Sequence, residues 1–276
     1  ISTLDEAARA GWLYYVGQMT QDQIATELGV SRQRAQRLVA KAMAEGLVHV
    51  RLDHPIAKCL ALEADLARHY GLVHARVAPG LGLNGDPSRA TAGPAAELLE
   101  RFLSDPAARV LAFGTGRSLS SMVAALTPQV TERHRIVSLI GNIAPDGSAS
   151  FYDVIQRLAD KLHAPHFPMS VPLVSDTPEE RALFHALGPV QAVVRLAQAA
   201  DVTFVGVGEM GDDAPLYKDG FLTRAQLTEM QSRGAVGEIV GGVYDRAGRY
   251  IETHLTGCIG GVQIERAGRR AVEPHA

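Results

Sequence analysis

The stretch between Ser31 and Ala44 carries basic and amide side chains and no acid. Arginine can pair bidentately with guanine and glutamine with adenine in the major groove of DNA, and further basic groups neutralise phosphates. These residue types on one short helix indicate DNA recognition. The alternative is the solvated basic face of an ordinary surface helix. The candidate DNA-contacting residues are Ser31, Arg32, Gln33, Arg34, Gln36, Arg37 and Lys41.

Two short helices are predicted to present these side chains. Apolar residues recur at helical spacing on both sides of Gly29, which interrupts the pattern. Thr20 and Ser31 each offer a hydroxyl to cap the start of a helix. Helix, tight turn, helix is the pattern of a helix-turn-helix. Its apolar positions are Ile24, Ala25, Leu28, Ala35, Leu38, Val39 and Ala42.

A preceding helix, from Leu4 to Val16, is expected to cover this pair with Trp12 in the core. Contacts of Trp12, Tyr14 or Tyr15 with DNA or with a second domain are the alternative. After Gly46, the alternating segment LVHVRLDH predicts a short strand that forms a wing beside the recognition helix.

Pro55 marks the predicted domain boundary, because proline disrupts both helix and sheet. The sequence thus predicts a winged helix-turn-helix domain over residues 1–55 and a larger domain over residues 56–276. A helix from Ile56 to Tyr70 links them, and either carries dimer contacts or covers its own domain.

From Arg109 onward, near-continuous apolar runs alternate with helical patterns. This pattern is typical of a parallel sheet covered on both faces, and it predicts a doubly wound, mostly parallel α/β domain. Ligands of such sheets bind at the carboxyl ends of the strands. The predicted strands are RVLAFG, RIVSLIGNI, HFPMSVPLV, VTFVGVG and EIVGGVYD; the predicted helices are Ser118 to Leu126, FYDVIQRLADKLH, Pro189 to Ala200 and Thr223 to Ser232.

The loop after the first of these strands has the composition of an anion site. Gly114 and Gly116 let backbone N–H groups approach a ligand, and the following helix N-terminus carries partial positive charge. Thr115, Arg117 and Ser118 add donors suited to a phosphate. The alternative is a tight strand-to-helix turn without a ligand. Gly141 and Asn142, after the second strand, reach the same crevice or form a plain turn.

A third loop, Gly206 to Gly211, matches G-x-G-x-x-G. A dinucleotide site is not predicted there, because Glu209 and the acids at 212 and 213 would repel a pyrophosphate and Pro215 interrupts the helix that should follow. Carboxylates suit the hydroxyl groups of a sugar. No nicotinamide or flavin cofactor is therefore predicted.

Composition limits the remaining functions. The net charge is −3, so DNA binding depends on the local basic patch. Cys59 and Cys258 are the only cysteines and form no metal or redox motif, which indicates buried structural thiols in a reducing compartment. No apolar run is long enough to span a membrane and no signal peptide is visible, so the sequence predicts a cytoplasmic protein. Phosphate-loop, zinc-protease and serine-hydrolase motifs are absent, and no catalytic residue or metal ligand is assigned.

The helix-turn-helix together with FGTGRSL, FVGVGEMG and GGVYDRAG resembles the SorC family of sugar-binding bacterial transcriptional regulators over nearly the whole chain. The resemblance implies an effector domain related to sugar-phosphate isomerases, a phosphorylated sugar or polyol as inducer, operator DNA as partner, and a homotetramer made of dimers. It also implies that Gly114 to Leu119 form the phosphate cradle, that Gly206 and Gly208 line the sugar crevice, and that Asp245 holds sugar hydroxyls.

Two departures from the family pattern bear on this expectation. The chain stops at EPHA, so a closing segment of the effector site is expected to be missing or disordered, and Gly211-Asp212 stand where related deaminases carry a histidine. The second departure argues against isomerase or deaminase activity. The competing hypotheses are a sugar-phosphate enzyme with an appended DNA-binding module, and a helix-turn-helix that contacts protein rather than DNA.

Overall fold

The computed structural model describes residues 2–48, 57–82, 85–144, 146–148 and 152–262. The chain divides into two compact units, Ile1–Pro79 and Gly80–Ala276. The expected boundary at Pro55 and most of the expected wing strand lie outside the described residues. No described helix combines the length and apolar character needed to cross a membrane.

The N-terminal unit consists of α1 (Thr3–Tyr15), α2 (Gln21–Leu28), α3 (Arg32–Ala44) and α4 (Ala57–Tyr70). The predicted caps are confirmed: the Thr20 hydroxyl accepts the N–H of Gln23, and the Ser31 hydroxyl accepts the N–H of Arg34. Gly29, with φ of +65°, ends α2 in the left-handed conformation that glycine favours. The helix-turn-helix is therefore present as predicted.

Helix α1 packs against α2 and α3 through small residues, and Trp12 is not part of this contact. Gly11 lies so close to α3 that a Cβ added to it would be 2.9 Å from the Cβ of Ala42. Trp12 is 64% exposed, so its predicted place in the core is wrong. The close approach of two helices excludes a large side chain at their contact, and α1 instead turns its alanines inward. The buried core of the unit comprises Ala7, Ala10, Ile24, Ala25, Ala35, Leu38, Val39 and Ala42.

The C-terminal unit is built on a parallel four-stranded sheet in the order β3-β2-β1-β4. Its strands are β1 (Val110–Phe113), β2 (Arg135–Ile143), β3 (His166–Pro172) and β4 (Val202–Phe204). Leu111 and Phe113 face one apolar cluster, and Val110 and Ala112 face another. Both faces are thus covered, which confirms the doubly wound prediction. The surrounding helices are α5 (Pro87–Leu103), α6 (Arg117–Ala125), α7 (Val154–Leu162), α8 (Pro178–Ala186) and α9 (Gly188–Gln198).

The last predicted strand, EIVGGVYD, is wrong as a single parallel strand. It forms the hairpin of β6 (Ala235–Ile239) and β7 (Gly242–Asp245), which pairs antiparallel with the short β5 (Gly208–Glu209). Val240 and Gly241 have φ of +52° and +76°, and two successive positive φ values reverse the chain tightly. A third apolar cluster packs this sheet with α10 (Pro215–Lys218), α11 (Arg224–Ser232) and α12 (His254–Cys258).

Candidate functional site

Helix α3 presents its basic side chains in two different settings. Arg34 forms an ion pair of 2.8 Å with Glu6 of α1, and Arg32 one of 3.4 Å with Asp22 of α2. Arg37 makes no ion pair with a described residue, and its Nε donates to the carbonyl of Gln33 at 3.4 Å. These exposed ion pairs link α3 to α1 and α2, while the buried apolar residues hold the three helices together.

The exposed side chains without such partners are best placed to meet base edges. Gln33, Gln36 and Arg37 are exposed, on the side of α3 away from the buried Ala35 and Leu38. Ser31 is committed to capping the helix, and Lys41 in its last turn is partly buried. Within the predicted set, the structure thus separates three exposed side chains that form no ion pair with a described residue from residues that are paired, capping or partly buried.

The loop between β1 and α6 leads into a helix start without a side-chain cap. The N–H of Gly114 already donates to the carbonyl of Phe204 of β4 at 2.9 Å, so, contrary to the prediction, it is not open to an anion. Gly116 has φ of +117°, which favours glycine. No described side chain caps the first turn of α6, and the same holds for α9 and α10, whereas Asp153 caps α7 and Thr223 caps α11. The first N–H groups of α6 are thus left without a side-chain acceptor at the positive end of a helix dipole.

The side chains of this loop are held by groups from elsewhere in the unit. Thr115 donates to the carbonyl of Tyr152 at 3.1 Å, and the Nε of Arg117 donates to the Tyr152 hydroxyl at 3.2 Å. Ser118 is exposed, while Leu119 is buried in the core, so only its backbone can face a ligand. Tyr152 was not among the predicted site residues, because it lies far along the chain and follows no glycine motif.

Three loops converge on the carboxyl end of the sheet. A Cβ added to Gly206 would lie 4.0 Å from the carbonyl of Thr115, and one added to Gly114 would lie 3.5 Å from Val240 at the hairpin tip. Gly208 lies against the carboxylate of Glu238. The structure therefore brings together the loops after β1 and β4, as expected, and adds the β6-β7 hairpin to them.

Comparison with known proteins identifies this arrangement. The Sugar-bind family model, which describes a sugar-binding domain, matches residues 54–272, and a MarR family model matches residues 9–55. EryD, the erythritol catabolism regulatory protein of Brucella abortus (strain 2308), is 34% identical over 261 residues, which cover 95% of this chain and 83% of EryD. The chain belongs to the SorC family of sugar-binding transcriptional regulators.

Two further proteins are similar to this chain over most of its length. The transcriptional regulator LsrR of Klebsiella pneumoniae subsp. pneumoniae is 29% identical over 248 residues, 89% of this chain and 74% of LsrR. The crystal structure of the full-length sorbitol operon regulator SorC from Klebsiella pneumoniae matches with a TM-score of 0.68 and 25% identity, over 94% of this chain and 84% of that one. This SorC-family chain is therefore a DNA-binding transcriptional regulator with a sugar-binding domain.

In this SorC-family regulator, two predicted site residues lie inside a strand rather than after it. Gly141 and Asn142 belong to β2, and the backbone of Gly141 packs directly against the carbonyls of Val171 and Pro172. The side-chain oxygen of Asn142 is buried and has no hydrogen-bond partner among the described residues. Neither residue forms the plain turn that was the alternative, and the orphaned amide oxygen is a polar group that a ligand donor would satisfy.

The acids predicted to hold sugar hydroxyls are not brought together. Glu209 accepts the N–H of Gly211 at 2.7 Å. Asp245 pairs with Ala235 at the far end of the hairpin, three residues from the level of Glu238, and accepts three hydrogen bonds from its own turn, two of them from Arg249. These bonds, the Arg249 backbone N–H first among them, lower the pKa of Asp245. Its carboxylate is therefore occupied by local structure.

Glu238 was not among the predicted site residues, although it lies beside the predicted Gly208. One of its oxygens accepts the N–H of Gly241 at 3.0 Å, and the other lies against Gly208 without a hydrogen bond to any described residue. Burial raises its pKa above the ordinary value, and the bond from Gly241 partly opposes this shift. The alternation of side chains along β6 does not reveal the position of Glu238, because that position depends on the pairing of the hairpin with β5.

The partly buried carboxyl of Glu238 makes the free energy of unfolding depend on pH. Because its folded pKa is raised, the folded state keeps a proton that the unfolded state releases, and stability falls as pH rises from the unfolded value of 4.5 through the folded one. We expect Glu238→Gln, which keeps an acceptor for Gly241, to melt at a higher temperature than wild type at pH 7.5. The gain should shrink towards pH 4, and a gain independent of pH would contradict the assignment.

Proposed function

We propose that the effector of this regulator is a phosphorylated sugar or polyol whose phosphate binds the loop from Gly114 to Ser118. The observation that carries the proposal is the start of α6, where N–H groups without a side-chain cap lie beside Arg117 and Gly116. The name of EryD assigns that relative to erythritol catabolism, which supports a polyol backbone for the ligand. Gly206, Gly208 and Glu238 then face its hydroxyl-bearing part.

The N-terminal unit is proposed to read operator DNA as part of a homo-oligomer, a dimer or tetramer. Paired recognition helices on two half-sites give both affinity and register. An effector that prefers one arrangement of subunits changes operator affinity, and DNA must then change effector affinity by the same factor. We propose residues 1–55 as the DNA-binding domain and residues 56–276 as the effector domain. We also propose that the protein is cytoplasmic, because it meets DNA in that compartment.

We propose that the effector domain binds its ligand without turnover. The relatives are named as regulators, not as enzymes, which supports this role. Turnover of a sugar phosphate by the purified protein would contradict it and restore the enzyme hypothesis.

Thermal melting against paired phosphorylated and free sugars and polyols tests the effector proposal. A ligand that binds only the folded state stabilises it by about 2.7 kcal/mol at 100 times its Kd. We expect a phosphorylated compound to raise the melting temperature, and Arg117→Ala to weaken its binding at least about tenfold, because a charge-assisted bond is lost.

Arg101→Ala is the matched control, since it removes one arginine from a surface pair with Glu97 on α5. It should respond to the ligand like wild type. Stabilisation by free sugars alone, or an equal response of the Arg117 and Arg101 variants, would reject the phosphate cradle.

A further inference from the structure

The guanidinium of Arg117 is held by two groups from distant parts of the chain. Besides the bond from its Nε to the Tyr152 hydroxyl, one terminal nitrogen lies 3.6 Å from a carboxylate oxygen of Asp219. The Tyr152 hydroxyl donates to the other oxygen of Asp219 at 3.4 Å. Arg117, Tyr152 and Asp219 form a closed cluster, here called the Arg117 cluster, at the N-terminus of α6.

Asp219 and Arg117 are anchored in different cores. Asp219 ends α10, where its N–H donates to the carbonyl of Pro215 at 2.8 Å, and Leu216 of the same helix packs on the antiparallel-sheet core. Arg117 begins α6, whose Leu119 is buried in the core beneath the parallel sheet. The ion pair therefore connects two separately packed parts of the effector-binding unit.

This ion pair is weak enough to be replaced. The side chains of Arg117 and Asp219 are 47% and 27% exposed, and exposed pairs contribute little because water screens them. A phosphate dianion carries twice the charge of a carboxylate, matches the guanidinium fork, and is also reached by the first N–H groups of α6. Phosphate and Asp219 would then be two anions beside one cation, and they repel each other.

We propose that Asp219 is an internal competitor for the effector's phosphate at Arg117, and that phosphate binding displaces the Asp219 carboxylate from the Arg117 cluster. This inference rests on the proposed function and adds a specificity determinant to it. A neutral polyol leaves the Arg117 cluster intact, whereas a phosphorylated one breaks it. Only the phosphorylated ligand then distinguishes two arrangements of the unit, as an effector must.

Titration of the full chain with inorganic phosphate, at pH 7.5 and constant ionic strength, tests this competition. Asp219→Asn removes the competing charge, and we expect phosphate to bind about 3- to 10-fold more tightly, the effect of one partly screened charge a few ångströms away. Asp213→Asn is the matched control: it removes the same charge from the same segment, but Asp213 pairs with Lys218 at 3.1 Å. Its phosphate affinity should stay within about twofold of wild type.

The outcomes separate this inference from the proposed site. If phosphate binding requires Arg117 but Asp219→Asn gains no more than Asp213→Asn, the competitor role is wrong and the site stands. If Arg117→Ala leaves phosphate affinity unchanged in every background, the site itself is wrong and the inference falls with it. Asp219→Ala repeats the test without an amide, and its failure to gain affinity would likewise overturn the competitor role.

Discussion

Gly141→Ala is expected to destabilise the effector-binding unit by at least about 3 kcal/mol, the upper part of the range for overpacked cores. The added Cβ would lie 2.5 Å from the carbonyl oxygen of Pro172 and 2.6 Å from that of Val171. Both are backbone atoms of the neighbouring strand segment, so neither can rotate away as a side-chain end would. For a unit of this size the melting temperature should fall by roughly 6 to 12 °C.

Gly114→Ala is the control for this measurement. Its Cβ would meet Val240 at 3.5 Å and Leu119 at 3.7 Å, which are ordinary contacts, and no positive φ is required there. Its stability should stay within about 1 kcal/mol of wild type. Circular dichroism melts of both variants decide the matter. Equal melting temperatures would show that β2 and β3 tolerate a methyl group at Gly141, and that this glycine is not needed for strand packing.

Arg37→Ala should cost about 1 to 3 kcal/mol of operator binding, or roughly 5- to 150-fold in Kd, with relaxed specificity. Arg37 is exposed and pairs with no described acid, so its guanidinium is available to a guanine edge. Arg34→Ala should instead weaken binding to all DNA sequences alike, because Arg34 is held by Glu6 of α1 and its loss removes a positive charge near the phosphates. Its effect on stability should stay within about 1 kcal/mol, since the ion pair is exposed. Arg34 and Arg37 lie about one turn apart on the same helix, but only Arg34 forms an ion pair with a described residue.

Fluorescence anisotropy at fixed salt, with a duplex selected by the wild-type protein and a scrambled duplex, measures both effects. Arg68→Ala is the control, because it removes another exposed arginine, which lies on α4. An unchanged operator affinity for Arg37→Ala would reject the assignment of α3 as the recognition helix. An equal loss on both duplexes would show that Arg37 contacts only phosphates.

Local patterns in the sequence were sufficient to predict the helix-turn-helix and the parallel sheet. Thr20, Ser31 and Gly29 determine where α2 and α3 begin or end through bonds to their immediate neighbours, and such bonds can be read from adjacent residues. The β1 run has no polar residue because the strand is buried on both faces. The family resemblance drew on the same local segments, and the comparisons confirmed it.

Other features of the fold depended on which helices and strands pack together. The periodicity of apolar residues in the sequence does not contain that information. Trp12 has helical spacing with the apolar residues of α1, but the close packing of Gly11 on α3 turned it outward. The run EIVGGVYD looks like one strand, but Val240 and Gly241 reverse it and bring Glu238 onto Gly208.

The protein family, the helix-turn-helix and the glycine loop at the start of α6 could be predicted from the sequence, because each is specified by residues close together in the chain. Which side chains share a site could be learned only from the folded protein. Tyr152 lies 35 residues from Arg117 along the chain and Asp219 lies farther away, so both reach Arg117 only in the folded protein. Contacts across such separations depend on how helices and strands pack, so the proposed competition at Arg117 could be inferred only from the folded chain.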